Sequence, residues 1–221
     1  MSDAHRATAA FLEDLHPDPF AHVRDASNAH REFHGGDCGV YPSDPLKLRF
    51  MANLVRAMGA KHILEIGCGL GYSALWLADA VGPSSRITTI DRFPEHAELA
   101  LGHAEEAGLA KRMEVLTGEG EDLIPGTGPF DFVHDDGWFA EKPRHFQVML
   151  DVVRPGGVIA MSNWFLLVQS MADKPNMDWS QFAGPDWRDK IQAFARELAA
   201  QRGLEVSWII DPGVALAFKK P

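Results

Sequence analysis

From Pro45 onward the apolar positions switch repeatedly between two periods. Leu46, Phe50, Leu54 and Met58 recur every four residues, which predicts a helix with an apolar stripe on that face. His62 to Ile66 follows as a short apolar strand. Next come a glycine turn, a helix from about Tyr72 to Ala80, and a strand Arg86 to Ile90 ending in Asp91. A helix opened by Pro94 leads to a strand near Met113 to Leu116 and another at Phe130 to His134. A helix from about Lys142 to Val153, stopped by Pro155-Gly156-Gly157, precedes the strand Val158 to Met161. Parallel neighbours need long crossovers, so this alternation implies a parallel sheet with helices on both faces. Glu205 to Ile210 and Val214 to Lys219, joined across Asp211-Pro212-Gly213, break the rhythm as an antiparallel hairpin. The expected fold is α/β: a doubly wound, mostly parallel seven-stranded sheet closed by that hairpin. Residues 1–38, broken at Pro17, Pro19 and Gly35-Gly36, read as an N-terminal helical or lid segment ahead of a main domain at 39–221.

Composition narrows the function. A chain of 221 residues, 46% hydrophobic and 24% charged, can bury a full core. Its formal charge of -10 and lack of a basic patch argue against nucleic acid as a partner. No apolar run is long enough to span a bilayer, and the charged start does not resemble a signal peptide, so no membrane partner is expected. Cys38 and Cys68 have neither metal-type spacing nor the numbers for a disulfide framework, which fits a reducing cytoplasm.

The chemistry begins at "HILEIGCGLGYSALWLADA", where Gly67, Gly69 and Gly71 lie between a buried strand and a helix. Glycines there let the backbone turn sharply and approach a ligand closely. Dinucleotide enzymes use a related turn, but this spacing is Gly-x-Gly-x-Gly, and Tyr72 stands where their fingerprint requires a third small residue. Asp91, about 20 residues farther on, can accept both hydroxyls of a ribose. Glu65, just before the turn, is unsuited to a pyrophosphate and tolerable beside a cation. A cationic nucleoside is the better match, and a nicotinamide oxidoreductase is disfavoured.

"LEIGCGLGYS", the position of Asp91 and the closing hairpin resemble the class I S-adenosylmethionine-dependent methyltransferases. "SDPLKLRFMANLVRAMGAKHILEIGCGLGYSALWLADA", "FDFVHDDGW", "VRPGGVIAMSNW" and "DPGVALAFKK" narrow this to the small-molecule O-methyltransferases related to catechol O-methyltransferase, over roughly residues 40–220. The resemblance implies a Rossmann-like fold, S-adenosylmethionine as cofactor, a small-molecule acceptor and a homodimer. It implies that Glu65, Gly67, Gly69, Gly71 and Ser73 line the methionine end and that Asp91 binds the ribose. Gly118, Glu119 and Gly120 would lie beside adenine, and Trp138 near the sulfonium.

In that family an Asp ending the fourth strand and a later Asp-Asn pair hold a divalent cation. Asp136 and Asn163 match two of these positions, but Ser162 replaces the intervening Asp, and Phe139 replaces a frequent Lys. A hydroxyl in place of a carboxylate removes charge on which a partly hydrated ion depends. The expectation is an enzyme without strict metal dependence. Asp135 is an alternative ligand, but consecutive strand residues point to opposite faces, which favours Asp136 for the pocket. Candidate bases are Asp136 and His134, with His145, His34 and His30 behind them. Cys38 is a weaker candidate, as a nucleophile without an identifiable partner. Trp164, Phe165, Trp179, Phe182 and Trp187 read either as an aromatic lid over the acceptor or as packing and dimer contacts. A nitrogen or carbon acceptor, and a non-catalytic adenosyl-cofactor-binding protein, stay open.

Overall fold

The structure is a computed structural model describing residues 3–36 and 38–221. Its centre is a seven-stranded sheet of order β3-β2-β1-β4-β5-β7-β6. The strands are β1 (His62–Ile66), β2 (Arg86–Asp91), β3 (Met113–Thr117), β4 (Phe130–Asp135), β5 (Val153–Met161), β6 (Leu204–Ile209) and β7 (Val214–Lys219). The first five run parallel, and β7 enters antiparallel between β5 and β6. The helices are α1 (Asp3–Leu15), α2 (Ala21–Phe33), α3 (Pro45–Met58), α4 (Tyr72–Ala80), α5 (Pro94–Glu106), α6 (Gly120–Leu123), α7 (Lys142–Val152), α8 (Phe165–Met171), α9 (Ser180–Ala183) and α10 (Trp187–Ala200). Two cores flank the sheet. One joins Phe20, just before α2, Val23 of α2, Leu48, Met51 and Val55 of α3 and the α4 residues to Ile63 and Phe132. The other joins Phe146 and Met149 of α7 and Ile191, Phe194 and Leu198 of α10 to Leu64, Val133 and Ile159.

Three sequence expectations need correction. The stripe Leu46, Phe50, Leu54 and Met58 is not the buried face of α3: Phe50 is 42% exposed, and the buried positions are Lys47, Leu48, Met51, Ala52 and Val55. The i, i+3, i+4, i+7 set that starts at Leu48 faces the sheet, and it carries Lys47 inward at its edge. Pro155-Gly156-Gly157 does not separate α7 from a strand but lies within β5 as an irregularity, since Phe130 pairs with Val153 and Phe132 with Val158. The region after Asn163, left without elements in the sequence reading, forms α8, α9 and α10, with Trp187, Ile191, Phe194 and Leu198 making the buried face of α10.

Of segment 1–38, Met1, Ser2 and Asp37 lie outside the described residues. The rest forms α1 and α2, laid against α3 and α4. Tyr72 donates its hydroxyl hydrogen to Asp18 Oδ2 (2.6 Å), and Arg49 donates to the carbonyls of His16 and Pro17. Among the described residues no helix is long and apolar enough to cross a membrane.

On the opposite face Asp135, fully buried, fastens β4 to α7. Lys142 Nζ donates to the Asp135 carbonyl at 2.9 Å and lies 3.3 Å from Oδ2, while His145 Nδ1 lies 3.3 Å from Oδ1. Burial pushes the Asp135 carboxyl up, but Lys142 and His145 outweigh it and bring it down to about 2. A depressed carboxyl pKa contributes stability above the unfolded value and loses it as pH falls through the folded one. Asp135→Asn, which leaves Lys142 buried and unpaired, should therefore cost about 3–5 kcal/mol at neutral pH. Urea titrations should show that difference shrinking as pH falls from about 4 towards 2.

Candidate active site

At the carboxyl ends of the parallel strands the chain encloses one cavity of about 530 Å³, where an open α/β sheet places its ligands. After β1, Gly67 adopts φ +90°, and a Cβ there would lie 3.0 Å from the backbone of Asp136 and Gly137. The turns after β1 and β4 thus touch backbone to backbone. Gly69 has φ +51° and room for a Cβ only up to contact with Val40, 4.0 Å away, and its N–H donates to Asp91 Oδ2 at 2.7 Å. Asp91 Oδ1 accepts from the Phe93 N–H at 3.0 Å and lies 3.2 Å from His96 Nδ1. The carboxylate that ends β2 therefore shapes the glycine turn while it lines the cavity. Gly71 caps α4, whose first N–H groups have no intrahelical acceptor. Ser73 lines the same wall, as do Gly118, Glu119, Gly120 and Trp138 on the far side. Arg92 holds Glu119 (3.0 Å) and Glu141 (2.6 Å) together there.

Two expected site residues stand behind the wall. Glu65 and His134 are fully buried and do not line the cavity. They are register partners on neighbouring strands, and Glu65 is likewise aligned with Thr89. A polar row therefore crosses the sheet on the face covered by α3 and α4. Thr89 donates to Glu65 Oε2 (2.6 Å), His134 Nδ1 lies 3.1 Å from Glu65 Oε1, and His134 Nε2 lies 3.0 Å from Ser162 Oγ. With both ring nitrogens engaged inside the protein, His134 has no path to take a proton directly from an acceptor.

Asp136 does line the cavity. Its Oδ2 accepts from Ser43 Oγ at 2.5 Å and lies 3.6 Å from Lys47 Nζ, while Oδ1 accepts from the Asn163 amide at 3.3 Å. Lys47 Nζ also donates to Ser162 Oγ at 3.0 Å, so the network runs from Thr89 to the cavity. Burial pushes the Asp136 carboxyl up, but Lys47, His134, Lys142 and the Ser43 hydroxyl hold it below the usual carboxylate range. It is therefore a stable anion and a weak proton acceptor. Asn163 sits at φ +68°, a left-handed conformation Asn tolerates, which turns its side chain toward Asp136.

These residues do not fit a divalent cation. Asp136 is the one carboxylate at the position, the Ser162 hydroxyl is spent on His134 and Lys47, and a buried ammonium would repel a dication. Among the described residues, the grouping of at least three His, Cys, Asp or Glu ligand atoms is elsewhere, at His30, His34 and Glu95. The other candidate bases are equally placed aside: the His30 ring packs against His34 and His96, and His145 is committed to Asp135 and Glu121. Cys38 is half-buried, and Cys68, a free thiol in the glycine turn, is pushed well up by burial and then by Glu65.

The remaining wall is aromatic. Phe165, Trp179 and Phe182 line the cavity with Tyr41, Trp138 and Met177, whereas Trp164 and Trp187 belong to the core beside α10. The sequence reading missed Ser43, Tyr41 and Lys47. The only signal for Lys47 was a charged residue at the edge of the Leu48-Met51-Ala52-Val55 stripe.

The family model described as O-methyltransferase matches residues 44–220. The catechol O-methyltransferase of Mycobacterium tuberculosis is 37% identical over 117 residues, 52% of this chain and 53% of that protein. That of Niastella koreensis is 35% identical over 127 residues, 54% and 56% of the two chains. The chain spans about half the length of these curated relatives. The O-methyltransferase TomG from Streptomyces achromogenes, crystallised in complex with SAM, matches with a TM-score of 0.80 and 29% identity over 100% of both chains. With the match covering all but its first 43 residues and its last, the chain belongs to the O-methyltransferase family.

Proposed function

We propose that the chain transfers the methyl group of S-adenosylmethionine to a hydroxyl oxygen of a small molecule, without needing a divalent metal. The observation that carries this reading is the shared cavity: a glycine turn tied to Asp91 at one end, Asp136 in the middle, and an aromatic box at the other. The bound sulfonium supplies an electrophilic methyl carbon, and what the protein must add is placement of the attacking atom about 3–3.5 Å from it. Gly67 and Gly69 line the methionine end, beside the first turn of α4 and Ser73. The Oδ2 lone pair of Asp91 that stays free of internal bonds takes a ribose hydroxyl. Gly118, Glu119 and Gly120 border the adenine, and Trp138 stands between the cofactor and acceptor halves.

Asp136 faces the acceptor as a fixed carboxylate, and Glu65 and His134 act as positioning residues through Ser162. Residues 39–221 carry the cofactor, while the 1–38 segment caps the cavity, to which it contributes Ser27. Two free cysteines support a reducing cytoplasm as the setting. Two copies pairing through α1 is supported by its outward Phe11, Leu12 and Leu15, of which Phe11 is 60% exposed.

Calorimetric titration of S-adenosylmethionine into EDTA-treated protein should give saturable binding that added magnesium leaves unchanged. Absence of binding in both conditions would remove the methyltransferase reading. Asp91→Ala should weaken that binding by about 1.5–3 kcal/mol, the range for hydrogen bonds to a charged group. Asp136→Asn should lower turnover on the order of 10²-fold and leave cofactor affinity nearly untouched, which separates an acceptor-side carboxylate from a cofactor ligand. In sedimentation velocity, the Phe11→Glu, Leu15→Glu double variant should run as a monomer and the unmodified chain as a dimer.

A further inference from the structure

We propose that the Lys47 ammonium is the built-in cation of this site, and that the chain therefore binds its acceptor through one hydroxyl oxygen and needs no vicinal diol. This rests on the methyltransferase reading above and deepens it.

The placement is specific. Lys47 is 7% exposed, in the first turn of α3, with Nζ 3.0 Å from Ser162 Oγ and 3.6 Å from Asp136 Oδ2. An ammonium carries three N–H donors and no acceptor. Ser162 takes one and Asp136 faces another, and the residue lines the cavity. The donor order is fixed from behind. Lys47 can only donate to Ser162, whose own hydrogen then points to His134 Nε2, leaving Nδ1–H for Glu65. Asp44 closes the arrangement from the other side, since it caps α3 by accepting from the N–H groups of Leu46 and Lys47. A carboxylate at position 162 would instead compete for the ammonium and draw it away from the cavity.

The charges then decide what can bind. Lys47 is the one lysine among the described residues that line the cavity, and an acceptor oxygen that reaches its ammonium is favoured as the oxyanion. An opposite charge within about 4–6 Å lowers an acidic pKa by roughly 1–3 units, which is the activation a hydroxyl needs. The hydroxyl proton leaves to solvent water as the anion settles against Lys47, because the Asp136 carboxyl lies too low to hold it. The oxygen lone pair forms the new O–C bond while the C–S bond breaks, and that electron pair passes to sulfur, which ends neutral. An ammonium is a compact point charge and holds one oxygen well, whereas a metal ion can chelate two. The aromatic rings of Tyr41, Trp138, Phe165, Trp179 and Phe182 suit a planar ring behind that oxygen.

The test uses 4-nitrophenol and 4-nitrocatechol as optical probes, added to the full chain with S-adenosylhomocysteine and EDTA, at a pH below the probes' own first pKa. Both probes should show their phenolate absorption band raised, with an apparent pKa lowered by about 1–3 units, and magnesium should change neither. Lys47→Met should abolish the shift while calorimetric binding of S-adenosylhomocysteine persists, and Lys47→Arg should retain it. A band that rises only for the catechol and only with magnesium would overturn the proposal, as would a Lys47→Met variant that keeps the shift. If Lys47→Met does not fold, the comparison of two probes with and without magnesium still decides. Failure of S-adenosylhomocysteine to bind the unmodified chain would instead strike the methyltransferase reading itself.

Discussion

Successive side chains of a β-strand point to opposite faces, and the end of β4 uses that constraint to divide its acids. Asp135 turns toward α7, where Lys142 and His145 hold it in a dry ion pair. Asp136, one residue on, turns toward the cavity, where Lys47, Ser43 and Asn163 meet it. A one-residue slip would put the structural acid in the site and the site's acid in the core. Parallel pairing of β4 between β1 and β5 prevents this, since Ile66 and Met161 both register with Asp135. The backbone contact between Gly67 and Asp136 then sets the glycine turn against the acid that lines the cavity.

The polar row behind the site supplies partners to a lysine placed so near the interior. A buried ammonium without partners costs far more than a surface one, and removal of a single partner is expensive. Here every link has a neighbour: Thr89 to Glu65, Glu65 to His134, His134 to Ser162, Ser162 to Lys47, Lys47 to Asp136. Three of these residues sit side by side on β2, β1 and β4, so the sheet's own register carries the network. Fully satisfied networks of this kind rigidify what they touch. The charged end of Lys47 is consequently held by the sheet, although the residue belongs to a helix that precedes it.

The sheet was largely legible because its signals are local. Strand ends at Ile66, the Tyr72–Ala80 helix and the hairpin turn at Pro212-Gly213 were each marked by period or punctuation, and all stand in the structure. The rotation of α3 was not, because Leu46, Phe50, Leu54 and Met58 form as good a four-residue series as the buried set. Only the tertiary surface of α4 and β4 decides between two such faces. Lys47 was hidden for the same reason. The 93 residues that separate Ser43 from Asp136, and the 115 that separate Lys47 from Ser162, carry no sequence signal linking them. His134 drew attention as a titratable residue beside two acids, but it is fully buried behind the cavity wall. The five aromatics after Asn163 divided as neither simple reading required: Phe165, Trp179 and Phe182 reach the cavity, and Trp164 and Trp187 fill the core.

The two halves of the cavity differ in what holds them. The half at the glycine turn is made by strand ends and the turns that leave them: Gly67 and Gly69 after β1, Asp91 at the end of β2, Gly118 after β3. The aromatic half is assembled from segments outside the sheet, with Ser27 and Tyr41 coming from before β1 and Phe165, Met177, Trp179 and Phe182 from the α8–α9 region. Those segments touch one another mainly through rings, as Tyr41 and Trp138 each meet Phe182 edge-on or tilted about 6 Å apart. Ring contacts of this sort tolerate exchange of one apolar side chain for another better than a hydrogen-bonded turn does. The shape of the aromatic half can therefore be altered by substitutions at Tyr41, Met177 or Phe182 without disturbing the glycine turn. The charge at Lys47 and Asp136, anchored to the sheet from behind, stays constant through such changes. The shape of the cavity and its charge are thus separate properties of this fold, one carried by its appended segments and the other by its register.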